Sequence, residues 1–359
     1  ILKTMVSSPI LLDFQSSTPC LKEVVEEMSS YWMENFANPS SKGNLSGLYA
    51  SAALEVSRNK IKENLNLLNK KIIFTSGATE SNNLALFGFA RNFQKRTGRY
   101  GNIITLKTEH HAVLEPLRQL KKEGFSLTEL NPESDGLILE ENLLNALRED
   151  TFLISIMLAN NEIGVIQPIE EIARICRQNN IILHVDAAQA LGKINLDLMK
   201  MNIDLMSFSA HKIYGPKGIG ALYINRKTMR NIIKPITFGG GHEKGLRPGT
   251  LPVHNIVGFG EACHIAKKEL EKNYTFIDSL TNLMLDKLSK GFGEITVNGS
   301  KEFRIPGNLN ISFSNLKQEP LIQRIKKIAV SSGSACTTSN PEPSHVLRAL
   351  GISKSLINS

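Results

Sequence analysis

The chain has 359 residues, 41% of them apolar and 21% charged, with a formal net charge of +8. That is the make-up of a globular protein with room for one large α/β domain and a smaller one, and no apolar run reaches the length of a membrane span. The basic residues are interspersed with acids and form no long block or aromatic-interleaved patch, so direct nucleic-acid binding is not expected.

The opening ILKTMVSSPILLDF has no cleavage-site pattern, and its apolar stretch runs straight into strand-like sequence. An initial Ile in place of Met points to trimming or processing of a longer chain. From about residue 70 to 225, short β-rich runs alternate with helical patterns. KIIFTS (71–76) reads as a strand and ATESNNLALFGFARNFQKR as a helix. Further strands are expected at NIITLKT (102–108), FLISIMLA (152–159), NIILHVD (180–186), LMSFS (205–209) and GALYI (220–224). Runs apolar on both faces, separated by segments such as PIEEIARICRQN, imply a mainly parallel sheet covered by helices on both sides. Ligands gather at the carboxyl ends of such strands. That puts the residues after Thr75, Thr108, Asn160, Asp186 and Ser209 on one rim. Beyond residue 260 a charged helical run is followed by ITVNG, NLNISFS, KIAVSS and the helical SHVLRAL. The expected division is therefore a large α/β domain over 12–260 and a smaller α+β domain over 261–359, with residues 1–11 as an arm packing on the small domain.

Cys20, Cys176, Cys263 and Cys336 are far apart and show no zinc-ligand spacing, so free thiols in a reducing compartment, and no metal, are expected. Cys336 stands in SSGSACTTSNPEPSHVLRAL, among serines, threonines and a glycine, whereas a structural cysteine keeps apolar company. From these residues alone a functional loop and a plain surface turn read alike, and the turn is the simpler.

The segment MSFSAHKIYGPKGIGALYI (206–224) ends a strand in Ser209, Ala210, His211 and Lys212. Lys212 is either a surface lysine or an amine held at the rim to form a Schiff base, with Ser209 and His211 donating to an anion. In TSGATESNN (75–83), Gly77 makes a turn and Ala78 and Thr79 open a helix, whose free N–H groups suit a phosphate. The same pattern also begins ordinary helices. Asp186 in HVDAAQA is a helix cap or the partner of a pyridinium nitrogen. His110 in TEHHAV is a buried, satisfied histidine or a ring that stacks on a flat cofactor and moves protons.

Taken in order, LLDFQSSTP, TSGATESNN, TEHHAVL, NNEIGVIQPI, HVDAAQALGK, MSFSAHKIYGPKGIGALY, GGGHEKGLRPGT, SSGSACT and PSHVLRALG make the chain resemble, over nearly its whole length, the NifS/IscS-type cysteine desulfurases. These are class-V aminotransferase-like enzymes of the type I pyridoxal-phosphate fold, and the likeness is to the subgroup with the longer catalytic-cysteine loop. The resemblance implies pyridoxal 5'-phosphate bound covalently to Lys212. Its phosphate would lie on Ala78, Thr79, Ser209 and His211, its ring nitrogen on Asp186 and its ring against His110. Gln189 and Asn161 would face the ring oxygen or the substrate, and Thr250 would reach the cofactor of the other subunit in a homodimer. Cys336 would take sulfur from L-cysteine as a persulfide, leaving alanine, and hand it to an iron–sulfur scaffold or another acceptor protein, for cluster assembly or tRNA thiolation. The setting implied is bacterial cytoplasm, or mitochondrial in a eukaryote.

Some positions depart from the pattern. Gly43 replaces a histidine in NPSSKGN, Pro248 replaces a serine in GLRPGT, and Ser16 replaces an alanine. Pro248 removes an N–H and restricts Arg247. The chain stops at Ser359, before the arginine that clamps the substrate carboxylate in the family, so it is expected to be either a fragment of a longer active enzyme, the favoured reading, or a shortened paralogue with impaired activity. Two other functions fit the same residues: a selenocysteine lyase with the same chemistry, and a noncatalytic paralogue acting as a dimer partner or scaffold.

Overall fold

The computed structural model describes residues 9–67, 71–225, 232–314, 325, 327–331 and 343–357. Its centre is a seven-stranded sheet made of β2 (Lys71–Thr75), β3 (Asn102–Leu106), β4 (Ser126–Leu130), β5 (Thr151–Ser155), β6 (Ile182–Asp186), β7 (Leu205–Ser209) and β8 (Gly220–Ile224). Two-residue β1 (Ile10–Leu11) precedes it. The order across the sheet is β2-β8-β7-β6-β5-β3-β4. Only β8 runs against its neighbours, pairing antiparallel with both β2 and β7. The mainly parallel α/β sheet is thus observed, in mixed form.

Alternation along each strand feeds two cores. On one face Phe74, Ile104, Val185, Phe208 and Tyr223 pack with α2 (Leu45–Asn64), α6 (Ile169–Gln178) and α8 (Val253–Lys268). On the other, Ile73, Ile103, Leu153 and Leu222 meet α3 (Ala78–Thr97) and α4 (His111–Lys122). Helix α1 (Lys22–Met33) lies on α8 beside α2. Short helices α5 (Glu140–Ala146) and α7 (Leu198–Met201) complete the connections.

The strands LMSFS and GALYI stand where the sequence puts them. FLISIMLA pairs as a ladder only to Ser155, yet Ile156 and Leu158 still donate to the carbonyls of His184 and Asp186. That run is buried beside β6 without regular pairing. Strand β4 escaped the sequence reading because SLTEL is half-buried throughout and alternates poorly. After α8 come α9 (Leu270–Phe292), the antiparallel pair β9 (Ile295–Val297) and β10 (Ile311–Phe313), and β11 (Ile328–Ala329), which pairs in parallel with β1. Helix α10 (His345–Ala349) packs Val346 and Leu347 on Ile163 and Val165.

One contact sets the geometry of the rim. At Gly220 an added Cβ would lie 2.4 Å from the Phe208 carbonyl oxygen and 2.6 Å from the Gly77 Cα. The β8 backbone can come this close to β7 and to the turn entering α3 only without a side chain. Gly220→Ala is expected to cost about 1–3 kcal/mol through backbone displacement. Urea denaturation checks this, and an unchanged midpoint would mean that the backbones are not in contact.

Candidate active site

Lys212 stands in a single 3₁₀ turn, Ala210–Lys212, at the carboxyl end of β7. The turn is tied down by Gly215 N–H donating to the Ala210 carbonyl at 3.0 Å and by the QSSTP segment. Thr18 donates from both its N–H (2.9 Å) and its Oγ1 (3.0 Å) to the His211 carbonyl, and its Oγ1 accepts from Tyr214 N–H at 2.7 Å. Lys212 Nζ donates to the carbonyls of Gln15 (2.5 Å) and Ser16 (2.9 Å). The amine is therefore held by backbone that belongs to the same rim.

Across the Gly220 contact lies the start of α3. Its N-cap, Gly77, has no side chain to cap the first turn, so the N–H groups of Ala78 and Thr79 face the rim as an anion site. An added Cβ on Gly77 would lie 3.9 Å from Ser209 Oγ, which places that hydroxyl at the same spot. Glu80 closes the turn by accepting from Ser76 N–H at 2.6 Å. It also receives Arg247 Nε (2.9 Å) and Nη2 (3.3 Å) in a forked pair. Burial works against ionisation of Glu80, but the bonds from Arg247 and Ser76 outweigh it and bring its pKa below the usual value. Burial, with Lys212, Lys217 and Lys193 close by, brings His211 down to about 4. It is thus a neutral ring whose Nδ1 lies 3.2 Å from Ser17 Oγ.

Asp186 ends β6 on the same rim and is 4% exposed. Asn82 Nδ2 donates to its Oδ2 at 2.7 Å and Ala188 N–H to its Oδ1 at 2.9 Å, so the carboxylate has one orientation. Of the two readings of Asp186, the cap is the one seen here, through the bond from Ala188 N–H. His110 is the N-cap of α4, its Nδ1 accepting from Ala112 N–H at 3.0 Å. That bond orients the ring and assigns the proton of the neutral form to Nε2. Burial lowers its pKa, Asp186 partly offsets this, and Lys212 and His111 add to the lowering.

Behind His110, Glu109 is fully buried, with Oε1 accepting from Met157 N–H at 2.7 Å and Oε2 unpartnered among the described residues. Burial pushes its pKa well up, against the Met157 bond, and the Asp186 charge pushes it further. Gln189 donates through Nε2 to the Gln15 carbonyl (2.9 Å), and Asn161 has a buried Oδ1 with no partner among the described residues.

The structure therefore brings Ala78, Thr79, His110, Asp186, Gln189, Ser209, His211 and Lys212 to one rim, with Asn161 in the loop after β5. Thr250 is exposed and lies in the loop that Arg247 pins to α3. Cys336 lies outside the described residues. At Gly43 an added side chain would meet nothing within 4 Å, so the missing histidine leaves open space. Sequence reasoning missed Glu80, Arg247, Glu109 and Lys193. The SxxxE spacing from Ser76 to Glu80 was a usable signal for the first of them; the other three needed the fold.

The profile of class-V aminotransferases matches residues 10–356. The cysteine desulfurase IscS of Colwellia psychrerythraea is 49% identical over 98% of this chain and 86% of its own length. That of Neisseria meningitidis is 50% identical over 99% and 86%. Among solved structures, a NifS-like protein superposes with a TM-score of 0.89 at 36% identity, covering 98% of this chain and 92% of its own. A structure described as SspA in complex with cysteine gives 0.84 at 36%, covering 98% and 96%. The chain belongs to the NifS/IscS branch of the class-V aminotransferases.

In this NifS/IscS-type chain the NNEIG loop links the rim to α10. Ser344, the N-cap of α10, donates to Glu162 Oε2 at 2.5 Å, and the Glu162 carbonyl accepts from Asn308 Nδ2 at 2.9 Å. Burial pushes Glu162 from 4.5 up to about 7, although the Ser344 bond works the other way. A carboxyl raised by folding stabilises the fold below its unfolded pKa, and that stability is lost as pH rises through the folded value. The urea midpoint is expected to fall between about pH 5 and about pH 8, and Glu162→Gln to flatten the fall by on the order of 1–2 kcal/mol. Equal pH dependence in the two proteins would show that Glu162 is not desolvated.

Proposed function

We infer that this protein is a cysteine desulfurase that uses pyridoxal 5'-phosphate, with Lys212 as the residue that carries the cofactor and Cys336 as the sulfur acceptor. The observation that carries this reading is a lysine at the carboxyl end of β7, on the sheet edge that also carries an uncapped helix start and an oriented carboxylate, Asp186. The donor set fits the cofactor. Backbone N–H groups of Ala78 and Thr79, with Ser209 and His211, suit a phosphate, and Asp186 suits a ring nitrogen. The buried, unpartnered Oδ1 of Asn161 leaves an acceptor for a bound group. When bound, the cofactor supplies the electron sink for bond-making and bond-breaking at the substrate Cα and Cβ.

The chain's own groups do the rest. Asp186, held by Asn82 and Ala188, would keep a proton on the ring nitrogen. His110, fixed by its capping bond, would stack on the ring. Lys212, once released from the Gln15 and Ser16 carbonyls, takes a proton from the substrate Cα and returns it. The Cys336 thiolate attacks the substrate sulfur, so an S–S bond forms as the Cβ–S bond breaks. The bond's electrons stay with the carbon fragment, which takes up a proton and leaves as alanine. The sulfur then passes to an acceptor protein of iron–sulfur assembly or tRNA thiolation, in a cytoplasmic setting.

A homodimer belongs to the same proposal. Thr250 is exposed in a pinned loop, as a residue reaching another subunit's phosphate would be. The exposed Trp32, Met33, Phe36, Leu48 and Tyr49, on α1, α2 and the turn between them, offer apolar surface for a second copy to bury.

Lys212→Ala is expected to abolish the borohydride-sensitive visible band and to lower alanine production by about 10²–10⁴-fold. Cys336→Ala is expected to keep that band and lose persulfide. Alanine release together with alkylation and mass spectrometry checks both. Labelled sulfur found on Cys20, Cys176 or Cys263 and absent from Cys336 would overturn the assignment. A strong steady-state preference for selenocysteine would favour the lyase.

A further inference from the structure

Lys193 is drawn into the Lys212 rim yet has no task in the chemistry above. It lies in the turns that follow Asp186, where Leu191 N–H donates to the Ala187 carbonyl and Ile194 N–H to that of Ala190, both at 3.2 Å. Gly192, at φ +69°, packs so closely that a Cβ would lie 2.9 Å from the Ala266 Cβ and 3.0 Å from Ile213 Cγ2. The turn is thus wedged between α8 and the residue after Lys212, and the Lys193 backbone has one place to be. From there its Nζ donates to Gln189 Oε1 at 2.6 Å. The other end of the same amide, Nε2, donates to the Gln15 carbonyl that also accepts from Lys212.

A primary amide is nearly symmetric in shape and opposite in chemistry at its two ends, so a half-turn exchanges acceptor for donor. Gln15 holds one end, but through the carbonyl that Lys212 shares, and that hold changes whenever Lys212 moves. The Lys193 bond holds the opposite end of the amide, at Oε1. A charged lysine has only donors and is satisfied only by Oε1. Its length is that of a charge-assisted bond. Burial and the Lys212 charge bring Lys193 down to about 7, so the cationic form is well populated just below neutrality.

We propose that Lys193 is a positioning residue that fixes the Gln189 amide with its NH₂ toward the Lys212 rim, where it donates to the phenolic oxygen of the cofactor. The proposal rests on the reading of Lys212 as the residue that carries pyridoxal 5'-phosphate. A donor at the phenolic oxygen favours the form of the bound cofactor that absorbs near ~420 nm over the one near ~330 nm. The absorbance ratio of the loaded enzyme therefore reports which end of Gln189 faces the ring. The two forms are tautomers with the same number of protons, so the effect of the Lys193 charge itself is read separately, in the Gln189→Leu background.

The experiment measures that ratio near pH ~6.5, where most Lys193 is charged, in wild type, Lys193→Met, Gln189→Leu and the double variant, with circular dichroism as the check on folding. Lys193→Gln replaces Lys193→Met if the latter does not fold. Lys193→Met is expected to lower the ratio about three- to five-fold, the effect of one neutral hydrogen bond. In the Gln189→Leu background it is expected to add nothing, because the two residues act as one unit. An unchanged ratio in folded Lys193→Met overturns the proposal, and so does a full further fall in the double variant. A wild type that forms no visible band with the cofactor overturns the reading of Lys212, and this inference with it.

Discussion

The rim depends on two backbones touching. With Gly220 at the head of β8 and Gly77 before α3, the end of β7 and the start of the helix share one small volume. A Cβ at Gly220 would push the end of β7 and the turn before α3 apart, because it would meet both the Phe208 carbonyl and Gly77. The reversal of β8 contributes as well. Running antiparallel between β2 and β7, it brings its first residue, not its last, to the carboxyl edge of the parallel strands. That start can be a bare glycine.

The loop from 239 to 250 is fixed to the sheet by ion pairs at two depths. Glu243 is 8% exposed and takes both Arg58 Nη1 (3.1 Å) and Nη2 (2.9 Å), as well as Phe74 N–H at 2.9 Å, while Arg58 lies 4.5 Å over the Phe74 ring. A carboxylate with three donors can stay buried, whereas one stripped of its arginine would be a large cost. Glu243 and Lys244 both have positive φ, at 47° and 60°, values that a chain adopts only when its surroundings require it. The outer pair, Glu80 with Arg247, is half-buried and joins this loop to the anion site. Pro248 therefore follows directly on a residue, Arg247, whose position the outer pair already sets.

The sheet was legible because burial and pairing coincide in a covered parallel sheet: strands apolar on both faces announce themselves. Where the two part, the reading slipped. Ile156–Ala159 is as apolar as a strand but only escorts β6, while Ser126–Leu130 is a strand at an edge and carries little apolar signal. Strand β6 begins two residues later than NIILHVD suggests because Asn180 turns the chain at φ 55°. At the site, residues announced by a turn or strand end were found. Those that act across the fold were not, since Arg247 and Glu80 are 167 positions apart and no periodicity links them. Glu109 lay in plain view in TEHHAV, but its full burial depends on Met157 and on the helix start beside it.

Charge divides the rim into two unlike ends. Near His211 stand Lys212, Lys217 and Lys193, and burial, with these charges adding to it, lowers the His211 pKa to about 4. The same cluster would welcome an anion, and the uncapped N-terminus of α3 points the same way. At the Asp186 end the sign is reversed. Glu109 lies behind, where burial and the Asp186 charge both raise its pKa and so work against a second negative charge. Two ionised carboxylates would repel each other and grip any positive partner too tightly to exchange its proton. Asp186, oriented by Asn82 and Ala188, is the carboxylate that the rim holds at this end. The burial that makes Glu109 look like a defect, an acid with one unpartnered oxygen in the core, is also what works against a second charge beside it.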